Sequence, residues 1–201
     1  CADDGCWDDS IRADYCAHEP TPTPYFILED LFSRIHLDED SHLLDVGCGA
    51  GFPGVPLAIA APGCQVTLLD SLGKRTQWLS GLLPKLGIQA EVVTARAEEA
   101  IPARREQYDI ATARAVARLP MLCELCLPFV KVGGAFVPYK SGKIQEEMEA
   151  AGKAVEILGG RIGQRKEFML PGSDMYRCLL YIEKVKATAK KYPRKAGMPT
   201  K

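Results

Sequence analysis

The chain has 201 residues, of which 47% are hydrophobic and 25% charged, as expected for one globular domain with a substantial core. Its apolar stretches are interrupted by charges or proline too often for a membrane helix, and residues 1–20 carry six acidic side chains rather than the basic and apolar regions of a secretion signal. The formal net charge of -1 conceals a basic tail, residues 186–201, and these features together predict a cytoplasmic protein without membrane spans.

The first half of the chain begins with a polar, acidic leader, residues 1–23, whose composition is compatible with disorder. An apolar strand at 42–47 then runs into a glycine-rich loop, and a helix at 54–61 and a second strand at 65–70 follow. The next helix, 73–87, ends at Gly87 and is expected to bury one apolar face, formed by Trp78, Leu79, Leu82, Leu83 and Leu86.

The second half continues the alternation of strands and helices. Strands are predicted at 90–95, 108–115, 134–140 and 177–185, and helices at 119–131 and 143–158. Alternation of this kind is typical of crossover connections on a parallel sheet, so residues 24–185 are predicted to form one α/β domain with a doubly wound, Rossmann-like sheet. Ligands of such sheets bind at the carboxyl ends of the strands, where the strand order reverses.

The eight cysteines do not form a recognisable metal-binding set. Cys123 and Cys126 have the spacing of half a zinc site, but no second pair of Cys or His lies at the required distance. Most of the others lie in the leader or beside apolar runs, where cysteine is commonly a small buried hydrophobe. The sequence therefore predicts no bound metal.

The glycine-rich loop, "DVGCGAGFPG" at residues 45–54, indicates a ligand that lies close against the backbone. It places Gly47, Gly49 and Gly51 at every second position, whereas the dinucleotide fingerprint requires its third glycine at position 52, which is Phe52. A nicotinamide dinucleotide is therefore disfavoured. Glycine at these positions removes the Cβ atoms that would collide with a closely bound ligand.

Acidic residues end the first two predicted strands. Asp70 lies 23 residues after Gly47, where a carboxylate can accept the two hydroxyls of a ribose, although capping of the following helix explains it equally well. Together with the glycine spacing, ribose binding without a pyrophosphate points to S-adenosylmethionine. Asp45 either faces the ammonium group of that ligand or orders the loop.

Several segments closely resemble the small-subunit ribosomal RNA guanine-N7 methyltransferases, also called glucose-inhibited division protein B. They are "DVGCGAGFPGVPLAIAAPGCQVTLLDSLGKR", "TARAEE", "ATARAVARLPML", "GGAFVPYKSG" and "YPRKAGMPTK", and they span residues 42–201, whereas residues 1–41 show no match. The resemblance implies a seven-stranded class I methyltransferase fold, S-adenosylmethionine as the methyl donor, and transfer of the methyl group to N7 of a guanine in 16S ribosomal RNA.

The resemblance also implies a set of site residues. In that family the donor site involves the positions that are Gly47, Phe52, Ala97, Glu98 and Arg114 here, with Glu98 near the adenine and Arg114 lining the methyl-transfer cleft. Guanine N7 carries a free lone pair at neutral pH, so the reaction needs positioning rather than a general base. We expect Arg114 to hold a phosphate or a guanine edge, and a structural ion pair is its alternative role.

The basic tail is the expected contact with the nucleic acid. Lys190, Lys191, Arg194 and Lys195 surround Tyr192, a combination suited to phosphates and to base stacking, although a solvated terminus has the same composition. Guanine N7 lies in the deep groove of an RNA helix, so the target base must be unpaired or exposed. The expected partner is 16S rRNA in the small ribosomal subunit or its precursor, and the enzyme is expected to be a monomer.

Other functions remain open from the sequence alone. A class I methyltransferase acting on another RNA or on a small molecule would share the donor motifs, but a small-molecule enzyme has no use for the basic tail. A noncatalytic RNA-binding module would keep the tail and bind no donor. Affinity for S-adenosylmethionine and the effect of removing the tail distinguish these classes.

Overall fold

A computed structural model describes residues 40–141, 144–169 and 174–194, which form one mixed sheet with helices on both faces. The predicted acidic leader and the last residues of the basic tail lie outside the described residues. The strands are β1 (His42–Val46), β2 (Gln65–Asp70), β3 (Glu91–Thr94), β4 (Tyr108–Arg114), β5 (Val130–Ser141), β6 (Gly160–Met169) and β7 (Tyr176–Lys184).

The order of the strands in the sheet is β3-β2-β1-β4-β5-β7-β6, and β7 runs in the opposite direction to the other six strands. The order reverses between β1 and β4, whose residues Leu43 to Asp45 pair with Ile110 to Thr112. This confirms the predicted doubly wound, mostly parallel sheet. We call the edge where β1, β2, β4 and β5 end the carboxyl edge, and the opposite one the amino edge.

The connecting helices divide between the two faces of the sheet. They are α1 (Gly54–Ala60), α2 (Gly73–Leu82), α3 (Ala97–Arg104), α4 (Leu119–Cys126) and α5 (Ile144–Ile157), with short 3₁₀ helices at Leu83–Leu86 and Leu127–Phe129. One core cluster packs α1 and α2 against one face, and a larger cluster packs α3, α4 and α5 against the other. Burial on both faces explains why the central strands read as nearly continuous apolar runs.

Two predicted features of the helices differ from the structure. The helix expected at 119–131 ends at Cys126, because Pro128 cannot donate to a continuing helix and β5 begins at Val130. Trp78, expected in the buried stripe of α2, is 54% exposed, whereas Leu79 and Leu83 are buried. The end of this segment is confirmed: Gly87 adopts a φ of 66° and caps the 3₁₀ helix, in the left-handed region that favours glycine.

Within the described part of the chain, no helix is both long enough and apolar enough to cross a membrane. Over the same residues, no group of three or more His, Cys, Asp or Glu side chains is arranged to hold a metal ion. Cys123 and Cys126 are both buried in α4, and burial raises the pKa of each thiol. They pack as small apolar side chains in the larger core cluster.

Candidate methyl-donor site

Hydrogen bonds fix the glycine loop, residues 47–54, to β1, which precedes it in the chain, and to the neighbouring strand β2. The amides of Gly47 and Cys48 donate to the Leu69 carbonyl of β2 at 2.8 and 3.0 Å. The Gly49 amide donates to Asp70 Oδ2 at 2.9 Å, and the Gly54 amide donates to Asp45 Oδ2 at 2.8 Å. The loop is therefore shaped by protein contacts before any ligand binds.

The three alternating glycines serve different purposes. All three have positive φ, with values of 70° at Gly47, 58° at Gly49 and 92° at Gly51. A Cβ at Gly47 would lie 2.6 Å from Val116, and one at Gly51 would lie 2.6 Å from Val55, so these two glycines allow close packing within the protein. Among the described residues a Cβ at Gly49 would meet only the Gly47 carbonyl oxygen, at 4.0 Å, so this part of the structure leaves open space beside the loop.

Asp70 connects the loop to the turn after β2. Its side chain is 4% exposed, and its two oxygens accept the amides of Gly49 and Leu72, each at 2.9 Å. Arg75 approaches Oδ2 at 3.4 Å. Leu72 is the N-cap residue of α2 and makes no side-chain cap, so Asp70 orders the turn without being the cap itself. A carboxylate has about four acceptor positions, and two hydrogen bonds and one long ion pair leave capacity for ribose hydroxyls.

Asp45 and Tyr139 bring unsatisfied polar atoms to the same face of the sheet. Asp45 is fully buried, and among the described residues neither its Oδ1 nor the Tyr139 hydroxyl has a hydrogen-bond partner. Burial raises the pKa of Asp45 from 3.8 to about 7, a shift that the Gly54 amide and the Arg114 charge limit. Burial also raises the pKa of Tyr139, and the Asp45 charge adds to that shift. Buried polar atoms of this kind are normally paired, so they fit a site completed by a polar ligand.

Arg114 ends β4 next to Tyr139 of β5, and its guanidinium lies over the ring of Phe52 at 5.5 Å from the centroid. Phe52 is 48% exposed at the rim of the glycine loop. Within the described residues no carboxylate forms a salt bridge with Arg114, so this part of the structure gives no support to the structural ion pair considered from the sequence. A cation over an exposed aromatic ring provides a planar surface beside the loop.

Comparison with known proteins identifies the family of this chain. The family model described as rRNA small subunit methyltransferase G matches residues 26–170. The chain belongs to the rRNA small subunit methyltransferase G family. A relative of that name from Alkaliphilus metalliredigens is 48% identical over 169 residues, covering 83% of this chain and 71% of the relative. Another from Acetivibrio thermocellus is 52% identical over 167 residues, covering 82% and 69%.

The match to the methyltransferase G family corrects one boundary of the sequence analysis. The resemblance was expected to start at residue 42, but the family model begins at residue 26. The segment before β1 therefore includes family sequence. This segment contains the apolar run "YFILEDLF", residues 25–32, but no glycine loop and no acid at a strand end. Motifs alone therefore did not identify it as family sequence.

Solved structures show the same fold at low sequence identity. An rRNA methylase from Streptococcus thermophilus superimposes with a TM-score of 0.60 at 19% identity, covering 81% of this chain and 97% of that one. A geranyl diphosphate methyltransferase in complex with SAM superimposes with a TM-score of 0.63 at 14% identity, covering 90% and 92%. The fold is therefore that of the class I S-adenosylmethionine-dependent methyltransferases, as predicted.

The remaining residues expected at the donor site of this family also lie at the carboxyl edge. Ala97 is buried and Glu98 half-buried, and they are the first two residues of α3, directly after β3. The topology thus brings these two residues, the glycine loop, Asp70 and Arg114 to one edge of the sheet. Tyr139 was missed by sequence reasoning, because a tyrosine near the end of a strand carries no motif of its own.

The basic tail takes a different position from the donor site. Lys184 Nζ is buried and donates to the Leu127 carbonyl at 2.6 Å and to Thr188 Oγ1 at 2.7 Å, with Glu106 Oε1 at 3.2 Å. These contacts lie at the amino edge, where β4 and β5 begin and β7 ends. Further along, the Arg194 guanidinium pairs with the buried Glu124 of α4 at 2.6 Å. The tail is therefore attached to the domain as far as Arg194.

The four predicted RNA contacts in the tail consequently differ from one another. Lys190 and Lys191 are exposed, and Lys191 Nζ lies 5.4 Å from the centroid of the Tyr192 ring. Arg194 is engaged by Glu124, which accepts both its side-chain and its backbone N–H groups. Lys195 lies outside the described residues.

Proposed function

We propose that this protein transfers a methyl group from S-adenosylmethionine to N7 of a guanine in 16S rRNA of the small ribosomal subunit. Family membership is the observation that carries the proposal, and the donor site described above supports it. The glycine loop leaves space at Gly49, Asp70 has free acceptor capacity, and two buried polar atoms near Arg114 lack partners among the described residues. These features fit a ligand with an amino-acid end and a ribose.

The chemistry that the protein must provide is positioning. S-adenosylmethionine, when bound, supplies an electrophilic methyl group on a positively charged sulfur. Guanine N7 attacks with a lone pair that is already free, so no side chain has to remove a proton. In this proposal Gly49 and Asp70 hold the donor, Asp45 and Tyr139 face its polar groups, and Arg114 orients the guanine. Alignment of reacting groups contributes up to about 7 to 11 kcal/mol in favourable cases.

The direct test is methyl transfer from isotopically labelled donor onto small ribosomal subunits that lack the modification. We expect label in 16S rRNA at one guanine N7, identified by cleavage at the modified base and by mass spectrometry of the nucleosides. Label on another RNA, or on none, would refute the proposed substrate. Naked 16S rRNA assayed in parallel shows whether the assembled subunit is required.

Asp70→Ala is expected to weaken donor binding by about 1 to 3 kcal/mol, the range for hydrogen bonds to a charged acceptor. The substitution removes the acceptor of the Gly49 amide as well as the proposed ribose contact. Isothermal titration calorimetry with S-adenosylmethionine measures the change, and the methyl-transfer rate at saturating donor shows whether the loop recovers its shape.

Asp109→Ala provides the matched control for this prediction. Asp109 also accepts a backbone amide, that of His42 at 2.8 Å, and pairs with Lys131 at 3.0 Å, but at the amino edge. We expect it to change stability without changing donor affinity. Equal donor affinities in Asp70→Ala and the parent protein would exclude Asp70 from the donor site.

We also propose that Lys190, Lys191 and Lys195 contact phosphates of the RNA, whereas Arg194 holds the tail in place through Glu124. Lys190 and Lys191 are exposed on a tail that is attached to the domain. An attached cation loses less conformational entropy on binding than one on a free terminus. The tail would then contact RNA at a distance from the target guanine, since it lies at the amino edge.

Replacing Lys190, Lys191 and Lys195 together by glutamine is expected to weaken RNA binding and to flatten its salt dependence. The slope of log K against log salt should become shallower by about 0.7 to 0.9 for each phosphate that the variant no longer neutralises. Donor binding and the melting temperature should stay unchanged. Arg194→Gln is the comparison, because it leaves Glu124 without its guanidinium partner and should lower the melting temperature. Parallel salt slopes for the triple variant and the parent would mean that the tail does not bind phosphates.

We propose further that the enzyme acts in the cytoplasm as a monomer. The substrate named above is assembled in that compartment, and the site is built from residues of one chain. Light scattering during size-exclusion chromatography, with and without small subunits, tests the monomer. A dimer that dissociates only with loss of activity would contradict it.

A further inference from the structure

The segment between β4 and α4, residues 115–118, lies beside the start of the glycine loop. We call it the β4–α4 loop. Val116 packs directly over Gly47, where a Cβ would lie only 2.6 Å from its side chain. Ala115 has a φ of 56°, a conformation that a residue with a Cβ adopts only when its surroundings impose it. The loop is flanked by Arg114 and ends with Arg118, and both side chains are exposed.

Lys140, near the end of β5, holds this loop from below. Its side chain is 11% exposed, and Nζ donates to the Ala117 carbonyl at 3.1 Å. Nζ also pairs with Glu147 Oε2 of α5 at 2.6 Å. Charge-assisted hydrogen bonds of this length are among the stronger polar contacts in proteins.

Glu147 completes the arrangement by binding the start of α4. Its Oε2 accepts the Leu119 amide at 2.9 Å, and Leu119 is the first residue of that helix. A carboxylate at a helix N-terminus is favoured by the helix dipole and satisfies an amide that has no partner within the helix. Lys140 and Glu147 therefore fix the end of the loop where it enters α4, and together they join the β4–α4 loop, β5, α4 and α5 at the carboxyl edge.

We infer that Lys140, acting with Glu147, is a positioning residue that holds the β4–α4 loop and thereby sets Arg114 for methyl transfer. The inference rests on the proposed function. Arg114 lies over Phe52 at the rim of the glycine loop and is followed by the strained Ala115, so we expect a shift of the loop to move its guanidinium. A displacement of about 1 Å in a reacting group can lower a rate about 100-fold.

The glycine loop has anchors of its own, which makes the inference specific. Its amides are held by Leu69, Asp70 and Asp45, and none of these hydrogen bonds passes through Lys140 or the β4–α4 loop. Removing the Lys140 ammonium should therefore disturb the transfer step more than donor binding. A residue with a purely structural role would instead lower stability and reduce both properties together.

The test compares Lys140→Met with the parent protein in the labelled-donor assay on small subunits. We expect kcat to fall about 10- to 100-fold, with the Kd for S-adenosylmethionine close to that of the parent. Glu147→Gln is a milder second variant, because its amide oxygen still accepts the Leu119 N–H while the ion pair is removed, and we expect a smaller fall in kcat. Both variants are checked for folding by circular dichroism and melting temperature.

Lys131→Met is the matched control, since Lys131 forms an ion pair at the opposite end of the same strand, with Asp109 at 3.0 Å. It should retain the parental kcat. An unchanged kcat in Lys140→Met and Glu147→Gln would overturn the inference, as would a parallel loss of kcat and donor affinity. If the parent protein itself transfers no methyl group, the proposed function fails, and this outcome is separate from either result with the variants.

Discussion

Replacing Gly49 with valine is expected to abolish binding of S-adenosylmethionine while the seven-stranded sheet still folds. Among the described residues a Cβ at this position would meet no atom closer than the Gly47 carbonyl oxygen at 4.0 Å, so in our proposal the added methyl groups enter the space of the ligand. The backbone also opposes the change, because a β-branched residue at a φ of 58° costs about 1 to 3 kcal/mol. Calorimetry should show no heat of donor binding at concentrations that saturate the parent protein.

Gly87→Val is the control that separates backbone strain from the loss of space for the ligand. Gly87 has a φ of 66°, and no atom of the described part of the chain lies within 4 Å of an added Cβ, so this substitution introduces the same kind of backbone strain in open space. It lies after the 3₁₀ helix that follows α2, away from the carboxyl edge. We expect Gly87→Val to lower the melting temperature and to leave donor affinity unchanged. Normal donor binding by Gly49→Val would show that the glycine loop does not hold the ligand.

The central sheet could be predicted from the sequence because its strands are buried on both faces. The runs that form β1, β2 and β4 are largely apolar, and the first two contain or end in chemically distinctive residues, Asp45 and Asp70. The loop between β1 and α1 could also be predicted locally, because its alternating glycines indicate backbone conformations of positive φ. Local composition alone therefore predicted candidate donor-site residues that the structure brings together at one edge of the sheet.

Strand β6 was not predicted, and its environment explains why. It is one of the two edge strands of the described sheet, with most of its side chains exposed or half-exposed, and its sequence "GRIGQRKEFM" has neither an apolar run nor strict alternation. Its pairing with β7, from Gly160 with Lys184 to Met169 with Tyr176, supplies what the sequence pattern lacks. Edge strands depend on their neighbour more than on their own residues.

The contacts that shape the site were also beyond the sequence. The hydrogen bond from Gly49 to Asp70 joins residues 21 positions apart, and the pair of Lys140 and Glu147 joins a strand to the following helix. The sequence left Asp70 with two roles, and the structure adds a third, in which the carboxylate holds the glycine loop. Such long-range contacts depend on strand register, which a single sequence does not reveal.

The contacts of the basic tail likewise could not be predicted from its sequence. Composition favoured either a solvated terminus or an RNA contact, and both interpretations treated the cations of residues 186–201, Arg194 among them, as one basic cluster. The structure shows that residues of the tail differ in their contacts. Near its start, Glu106 pairs with Lys184 and accepts the Thr188 amide, and near its end the buried Glu124 pairs with Arg194. Within the described residues the exposed cations of the tail include Lys190 and Lys191.

Replacing the buried Lys184 with methionine is expected to destabilise the protein by about 3 kcal/mol and to lower its melting temperature by about 6 to 12 °C. Methionine keeps the apolar stem but removes one of the two donors to the Leu127 carbonyl, which keeps the Val130 N–H, and leaves Glu106 without its ion-pair partner. Burial lowers the pKa of Lys184, and Glu106 opposes that shift, so the ammonium depends on its partners. The expected destabilisation lies at the lower end of the range for broken buried pairs because Glu106 is 26% exposed.

The same substitution should loosen the start of the tail without affecting the donor site. Thr188 no longer receives a hydrogen bond from Lys184 Nζ, so the chain beyond β7 should become sensitive to limited proteolysis at temperatures where the sheet remains folded. Donor affinity should persist, since the tail attaches at the amino edge and the glycine loop lies at the carboxyl edge. Lys186→Met changes an exposed position two residues away, and it should match the parent in melting temperature, sensitivity to proteolysis and donor affinity. If Lys184→Met melts at the parental temperature, the buried ion pair does not hold the tail. If it loses donor binding at temperatures where it remains folded, the two edges are coupled and the independence of the two sites is wrong.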